Sequence, residues 1–381
     1  MKKFYQANDA FAGLSPPIWR ASTVVFDSVE SFVQRKSRQP DGFSYGITGT
    51  PTARLLEQQI AELEGGNHCA VTPSGQAALC LAVMAFIQGG DHLLISAASY
   101  GALKTYAEKW LAKLGVEVEF YPPDISHEIA DYIRPNTKMI CLEAPGTVTM
   151  EMPDIPAIVA AARQKGVLTM IDNTWASPLG YRPLEHGVDL CVQAATKFFG
   201  GHSDLLLGAV TTNDFQQFTQ LRETQSIMGL QTSPDDCFLV LRGLETFALR
   251  YQKQCENAMS IAQWLQRQPE IDEILFPCLP EDRGHERWKR DFKSGGCLFS
   301  FTLKKESDEI YSAFFGALKH LVLGASWGGV HGLIAFYPAG MQSGRVFPRT
   351  DKAVIRLSAG LEDPELVIDD LKNALRASNE R

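Results

Sequence analysis

Between His92 and Val192 the chain repeats one pattern, a short apolar run followed by a stretch with helical spacing. Residues 92–96, 116–121, 138–143, 167–172 and 188–192 read as strands, and apolar residues recur at three- and four-residue intervals between most of them. Runs this apolar bury both faces. Repeated strand–helix units align their strands in one direction under a cover of helices. The expected fold is therefore α/β, a mostly parallel sheet covered by helices. Ligands of such sheets collect beyond the carboxyl ends of the strands, and Asp172 closes the fourth run there.

Upstream, Leu55, Leu56, Ile60 and Leu63 form a helical stripe stopped by Gly65-Gly66, while residues 1–47, with Pro16, Pro17 and an isolated run Thr23-Val24-Val25-Phe26, read as an arm. After Val240 a long helical segment leads to separate strands at 298–303, 321–323, 333–336 and 354–357, the mark of a smaller α+β unit. The expected division is an arm (1–47), a large ligand-binding domain (48–243) and a small C-terminal domain (244–381).

A chain of 381 residues with 45% hydrophobic and 21% charged residues buries a large core. Its formal net charge of -8 and lack of long basic runs argue against nucleic acid or anionic membrane as the main partner and favour a small molecule. The first ten residues lack a signal-peptide apolar region, and no 18-residue apolar run occurs, which points to the cytoplasm. The eight cysteines form no CxxC pair and read as reduced core thiols; His202 and Asp204 are close, but no zinc-type spacing accompanies them, so no metal is expected.

Lys197 follows Asp172 in the sequence, within Ala195-Thr196-Lys197-Phe198-Phe199-Gly200-Gly201-His202-Ser203-Asp204. A lysine amine holds an aldehyde cofactor as a Schiff base, and a carboxylate facing a pyridine nitrogen keeps that ring protonated, so the pair points to pyridoxal 5'-phosphate. Thr72-Pro73-Ser74-Gly75-Gln76 offers a cradle for the phosphate, since Gly75 admits close backbone approach and the next helix presents its positive end. A Ser-Gly before a helix is also an ordinary N-cap.

Ile171-Asp172-Asn173-Thr174-Trp175-Ala176, the Lys197 stretch, and Ile355-Arg356-Leu357 with Gly360-Leu361-Glu362-Asp363 resemble the Cys/Met-metabolism family of fold-type I pyridoxal-phosphate enzymes, over nearly the whole chain. Pro145-Gly146-Thr147-Val148-Thr149-Met150-Glu151 and Ala325-Ser326-Trp327-Gly328-Gly329 resemble its carbon–sulfur β-lyase branch. The resemblance implies Lys197 as the Schiff-base lysine, Asp172 on the ring nitrogen, Tyr100 stacked on the ring, and Gly75, Gln76 and Thr196 on the phosphate. It implies Arg356 on the substrate carboxylate, helped by Ser326 and Trp327. It further implies β-elimination from a thioether such as cystathionine, with γ-elimination or γ-replacement and cysteine or cystine desulfhydration as alternatives, and a non-enzymatic regulatory protein as the remote one. A homotetramer with active sites shared between subunits is also implied. One departure stands out: the family's Tyr-x-Arg motif, which reaches the neighbouring subunit's phosphate, is here Tyr45-Gly46-Ile47, with Thr48 and Arg54 as the nearby groups that would compensate.

Overall fold

The computed structural model describes residues 5–8, 11–343 and 346–380. Strands β1 (Tyr5–Asn8) and β2 (Phe11–Gly13) pair antiparallel ahead of the main sheet. That sheet comprises β3 (His68–Thr72), β4 (His92–Ser96), β5 (Glu117–Tyr121), β6 (Thr137–Glu143), β7 (Leu168–Asp172), β8 (Leu190–Gln193) and β9 (Gly208–Thr212). Its spatial order is β3-β9-β8-β7-β6-β4-β5. The five strands read from the sequence pair parallel; β9 runs antiparallel to both β3 and β8. Strands β3 and β9 escaped the sequence reading because each is rich in Ala, Thr or Gly and lacks the apolar run of its neighbours.

Alternation along the parallel strands splits the interior into two apolar layers. Met139, Cys141 and Met170 face a cluster containing Leu81 and Val83 of helix Gly75–Met84. Ile140, Leu142 and Ile171 face the other cluster, with Leu56 and Ile60 of helix Pro51–Glu64 and Ile158 of helix Ile155–Lys165. Both faces are therefore covered. Helix Pro51–Glu64 starts where Thr50 caps it and ends at Gly65, whose φ of 68° needs a residue without Cβ strain.

A second sheet contains β10 (Ile271–Leu275), β11 (Leu298–Leu303), β12 (Val322–Leu323), β13 (Leu333–Tyr337) and β14 (Val354–Ser358), in the order β10-β11-β14-β13-β12. Strand β10 was not expected from sequence. The Thr23–Phe26 run forms no strand, and Val25 is 89% exposed, because no neighbouring strand is available to it.

Candidate active site

Six strands of the main sheet run one way, so their carboxyl ends share an edge: Thr72, Ser96, Tyr121, Glu143, Asp172 and Gln193. The loops leaving this edge carry Gly75, Tyr100 and Lys197. The second sheet contributes Arg356 from the middle of β14 and Ser326-Trp327 from the loop after β12.

Lys197 Nζ donates to Ser326 Oγ at 2.8 Å and lies 5.4 Å from the centre of the Trp327 ring. Burial, reinforced by the nearby Arg356 guanidinium and opposed by Asp172, pulls its amine down to about 8. An amine poised there exchanges protons near neutrality. Gly328, at a φ of 77°, packs on the Lys197 backbone, where a Cβ would come within 3.2 Å of Lys197 Cβ.

Asp172 accepts from Thr174 N at 3.0 Å and from the Thr174 hydroxyl, both through Oδ1. Burial raises its carboxyl, while those bonds and Lys197 pull the other way. A protonated ring nitrogen held by Asp172 would offset the cost that burial imposes on the charged carboxylate.

The expected cradle forms: Ser74 caps helix Gly75–Met84, its Oγ accepting from Ala77 N at 3.0 Å. A Cβ on residue 75 would sit 2.6 Å from Ala194 Cβ, so glycine also lets the cradle close on the turn leading to Lys197. Gln76 Nε2 donates to Ala102 O at 3.3 Å, while its Oε1 is buried without a partner. A helix amino end, an adjoining buried amide group and a carboxylate across the pocket suit the phosphate and ring of pyridoxal phosphate.

Other expected residues fall differently. The Thr196 hydroxyl both donates to Leu207 O (3.2 Å) and accepts from Leu207 N (3.0 Å), so in this arrangement it braces the Lys197 turn. Arg356, 5% exposed, donates to Ala325 O at 2.9 Å and stacks 5.1 Å over Tyr337. Trp327 faces Lys197 and Phe198. Tyr45, 54% exposed, precedes a 3-10 turn at Gly46–Thr48 and is not among the groups brought around Lys197. Thr48 Oγ1 donates to Tyr45 O, and Arg54 is engaged by Glu57 Oε2 at 2.8 Å and by the carbonyls of Asp41 and Thr48, so both compensating groups are committed within their own chain.

Sequence reasoning missed Glu143, the register partner of Asp172, and Thr174, which orients that aspartate. The signal for Glu143 was present, since it too ends an apolar strand at the ligand edge. Among the described residues no group of three or more His, Cys, Asp or Glu is placed to hold a metal, and no helix is long and apolar enough to cross a membrane.

Residues 2–376 match the family described as Cys/Met metabolism PLP-dependent enzyme. The chain is 39% identical over 361 residues to cystathionine beta-lyase MetC of Escherichia coli, covering 93% of this chain and 91% of that one. It is 37% identical over 382 residues to an L-alanine/L-glutamate racemase of Wolbachia pipientis, covering 97% and 94%. A solved cystathionine gamma synthase from Xanthomonas oryzae pv. oryzae, in complex with aminoacrylate and cysteine, superposes with a TM-score of 0.89 at 31% identity, covering 98% of this chain and 95% of that one.

Proposed function

The chain belongs to the Cys/Met-metabolism family of pyridoxal-phosphate-dependent enzymes, and on that premise we propose that it is a carbon–sulfur β-lyase acting on cystathionine or a similar thioether. The observation carrying this reading is the Lys197 amine, which donates to Ser326 Oγ at 2.8 Å, lies 5.4 Å from the Trp327 ring centre, and is lowered to about 8 by burial and the Arg356 guanidinium against the pull of Asp172. The choice of β over γ rests on the Pro145-Gly146-Thr147 turn, which locks beside the segment leading to Tyr100. Thr147 N donates to Ala98 O at 2.8 Å, and a Cβ on Gly146 would meet Ala98 Cβ at 2.4 Å.

Pyridoxal phosphate, when bound, supplies the electron sink for the carbanion left after the substrate loses its Cα proton. Lys197 would hold it covalently, Asp172 would hold the ring nitrogen, Tyr100 would cover the ring, and Gly75 and Gln76 would take the phosphate. Arg356 fixes the substrate carboxylate by paired charge-assisted hydrogen bonds. Ser326 accepts from the Lys197 amine, which orients that amine toward the substrate. Once free of the cofactor, Lys197 acts as general base at Cα and returns a proton to the leaving sulfur. Cystathionine and one water would give homocysteine, pyruvate and ammonia.

Incubation with cystathionine should release pyruvate, with 2-oxobutyrate a minor product. Dominant 2-oxobutyrate would place the enzyme with the γ-eliminating members and leave the cofactor site as described.

A further inference from the structure

Glu143 stands beside Asp172 without a part in the chemistry above. It ends β6 in register with Asp172 at the end of β7, so the two carboxyls leave neighbouring parallel strands on the same side of the sheet. Glu143 Oε2 accepts from Tyr100 N at 2.6 Å. Tyr100 occupies the N-cap of helix Gly101–Tyr106, where no side chain of the turn caps the helix. Tyr100 is 48% exposed, so packing alone does not fix it. The preceding turn is pinned by Ser99 N to Ser96 O at 3.0 Å, and the helix by Leu103 N to Tyr100 O at 3.0 Å. The Tyr100 N–H is the link between them.

We propose that Glu143 is a positioning residue that seats Tyr100 over the ring site through the Tyr100 backbone N–H, and this rests on the reading of that site given above. Two buried carboxylates side by side repel, and burial together with Asp172 pushes the Glu143 carboxyl well above its ordinary range. Thr174 and Lys197 oppose the rise at Asp172, so of the two carboxyls Glu143 is the one pushed further toward the neutral form. Glu143 therefore acts as a neutral acceptor, facing Tyr100, Thr147 and Lys104. An amide can replace a neutral acid in this role.

The test is a double-mutant cycle on cofactor affinity, read by titrating the apoprotein with pyridoxal phosphate and by visible circular dichroism of the bound form. Thermal melting of each apoprotein confirms folding. Glu143→Gln should bind within about twofold of wild type, because its amide oxygen accepts the same N–H. Glu143→Ala should bind about tenfold more weakly, in line with the loss of the hydrogen bond that seats Tyr100, and should alter the dichroism as Tyr100→Ala does. The double variant should then be no weaker than Tyr100→Ala alone, within a factor of two. An additive cycle, or a folded Glu143→Gln as weak as Glu143→Ala, overturns the proposal while leaving the lyase reading intact. Failure of the wild-type protein to bind pyridoxal phosphate overturns both.

Discussion

At the residue scale, the state of single protons decides what two buried side chains do. Lys197 attacks an aldehyde only as the free amine, and its depression to about 8 follows mainly from burial. Capture of pyridoxal phosphate by the apoprotein should accelerate as pH rises through about 8 and level off above it. Borohydride should then fix the cofactor to the Lys197 peptide, and Lys197→Ala should remove both signals. Glu64 presents the opposite case. It is fully buried at the end of helix Pro51–Glu64, its Oε2 accepts from Cys191 Sγ at 3.3 Å, and its Oε1 has no partner. Burial raises it to about 7. A carboxyl raised in the folded state favours the fold fully only below its unfolded value, and loses that contribution as pH climbs through about 7. The shift corresponds to about 3 kcal/mol. Glu64→Gln, which does not titrate, should therefore be more stable than wild type at pH 8.5 by up to about 3 kcal/mol and close to it at pH 5, measured by denaturant midpoints of the apoprotein. Lys197 and Asp172 were legible in the sequence because their chemistry is tied to residue type and strand-end position. Glu64 was not, since only the fold reveals that a glutamate before Gly65-Gly66 points inward.

At the element scale, the parallel strands announced themselves by apolar runs, whereas the edge strand β3 depends on side chains brought from far along the chain. Glu57 Oε1 accepts from Val71 N at 3.1 Å, and Gln225 Nε2 donates to Val71 O at 2.6 Å. Helices Pro51–Glu64 and Phe215–Met228 thus occupy backbone groups that an edge strand otherwise offers to another chain. Arg222 and Arg54 flank Glu57, and together they outweigh burial and hold its carboxyl below the ordinary range. Removing one partner of such a buried cluster leaves uncompensated charge. Glu57→Ala should cost about 3 to 5 kcal/mol in chemical denaturation. No sequence pattern showed this, because the contacts join residues 57, 71, 222 and 225 across three elements. For the same reason β9 was hidden: its antiparallel place is set by β3 and β8, not by its own five residues.

At the scale of the whole molecule, the α/β layering was legible because periodicity survives in the sequence, but the joint between the two sheets was not. Trp175 Nε1 donates to Leu298 O at 2.8 Å, and one apolar cluster runs from Ile158 through Phe299 to Leu371. The arm exposes Trp19, Val25, Val29 and Val33, apolar surface that suits a second copy of the chain, and we propose that the active site is completed there, in a dimer at least and a tetramer by resemblance to the family. Tyr45 would then reach the neighbour's phosphate, with Ile47 where a guanidinium is expected. Arg54 cannot take its place without leaving Glu57 and two carbonyls. Ile47 is 38% exposed and lies near the end of helix Phe215–Met228, 3.8 Å from where a Cβ on Gly229 would stand, so a longer side chain has room to extend. A charge-assisted hydrogen bond to phosphate contributes roughly 1.5 to 3 kcal/mol. Ile47→Arg should therefore tighten pyridoxal phosphate binding at least about tenfold in equilibrium dialysis, and the gain should disappear on dilution to the monomer, since the new charge serves the neighbouring subunit. Tyr45→Phe should weaken binding under the same conditions. A gain that persists in the monomer would mean that the introduced guanidinium reaches its own subunit's phosphate, and an unchanged affinity would mean that the phosphate site lacks nothing at this position.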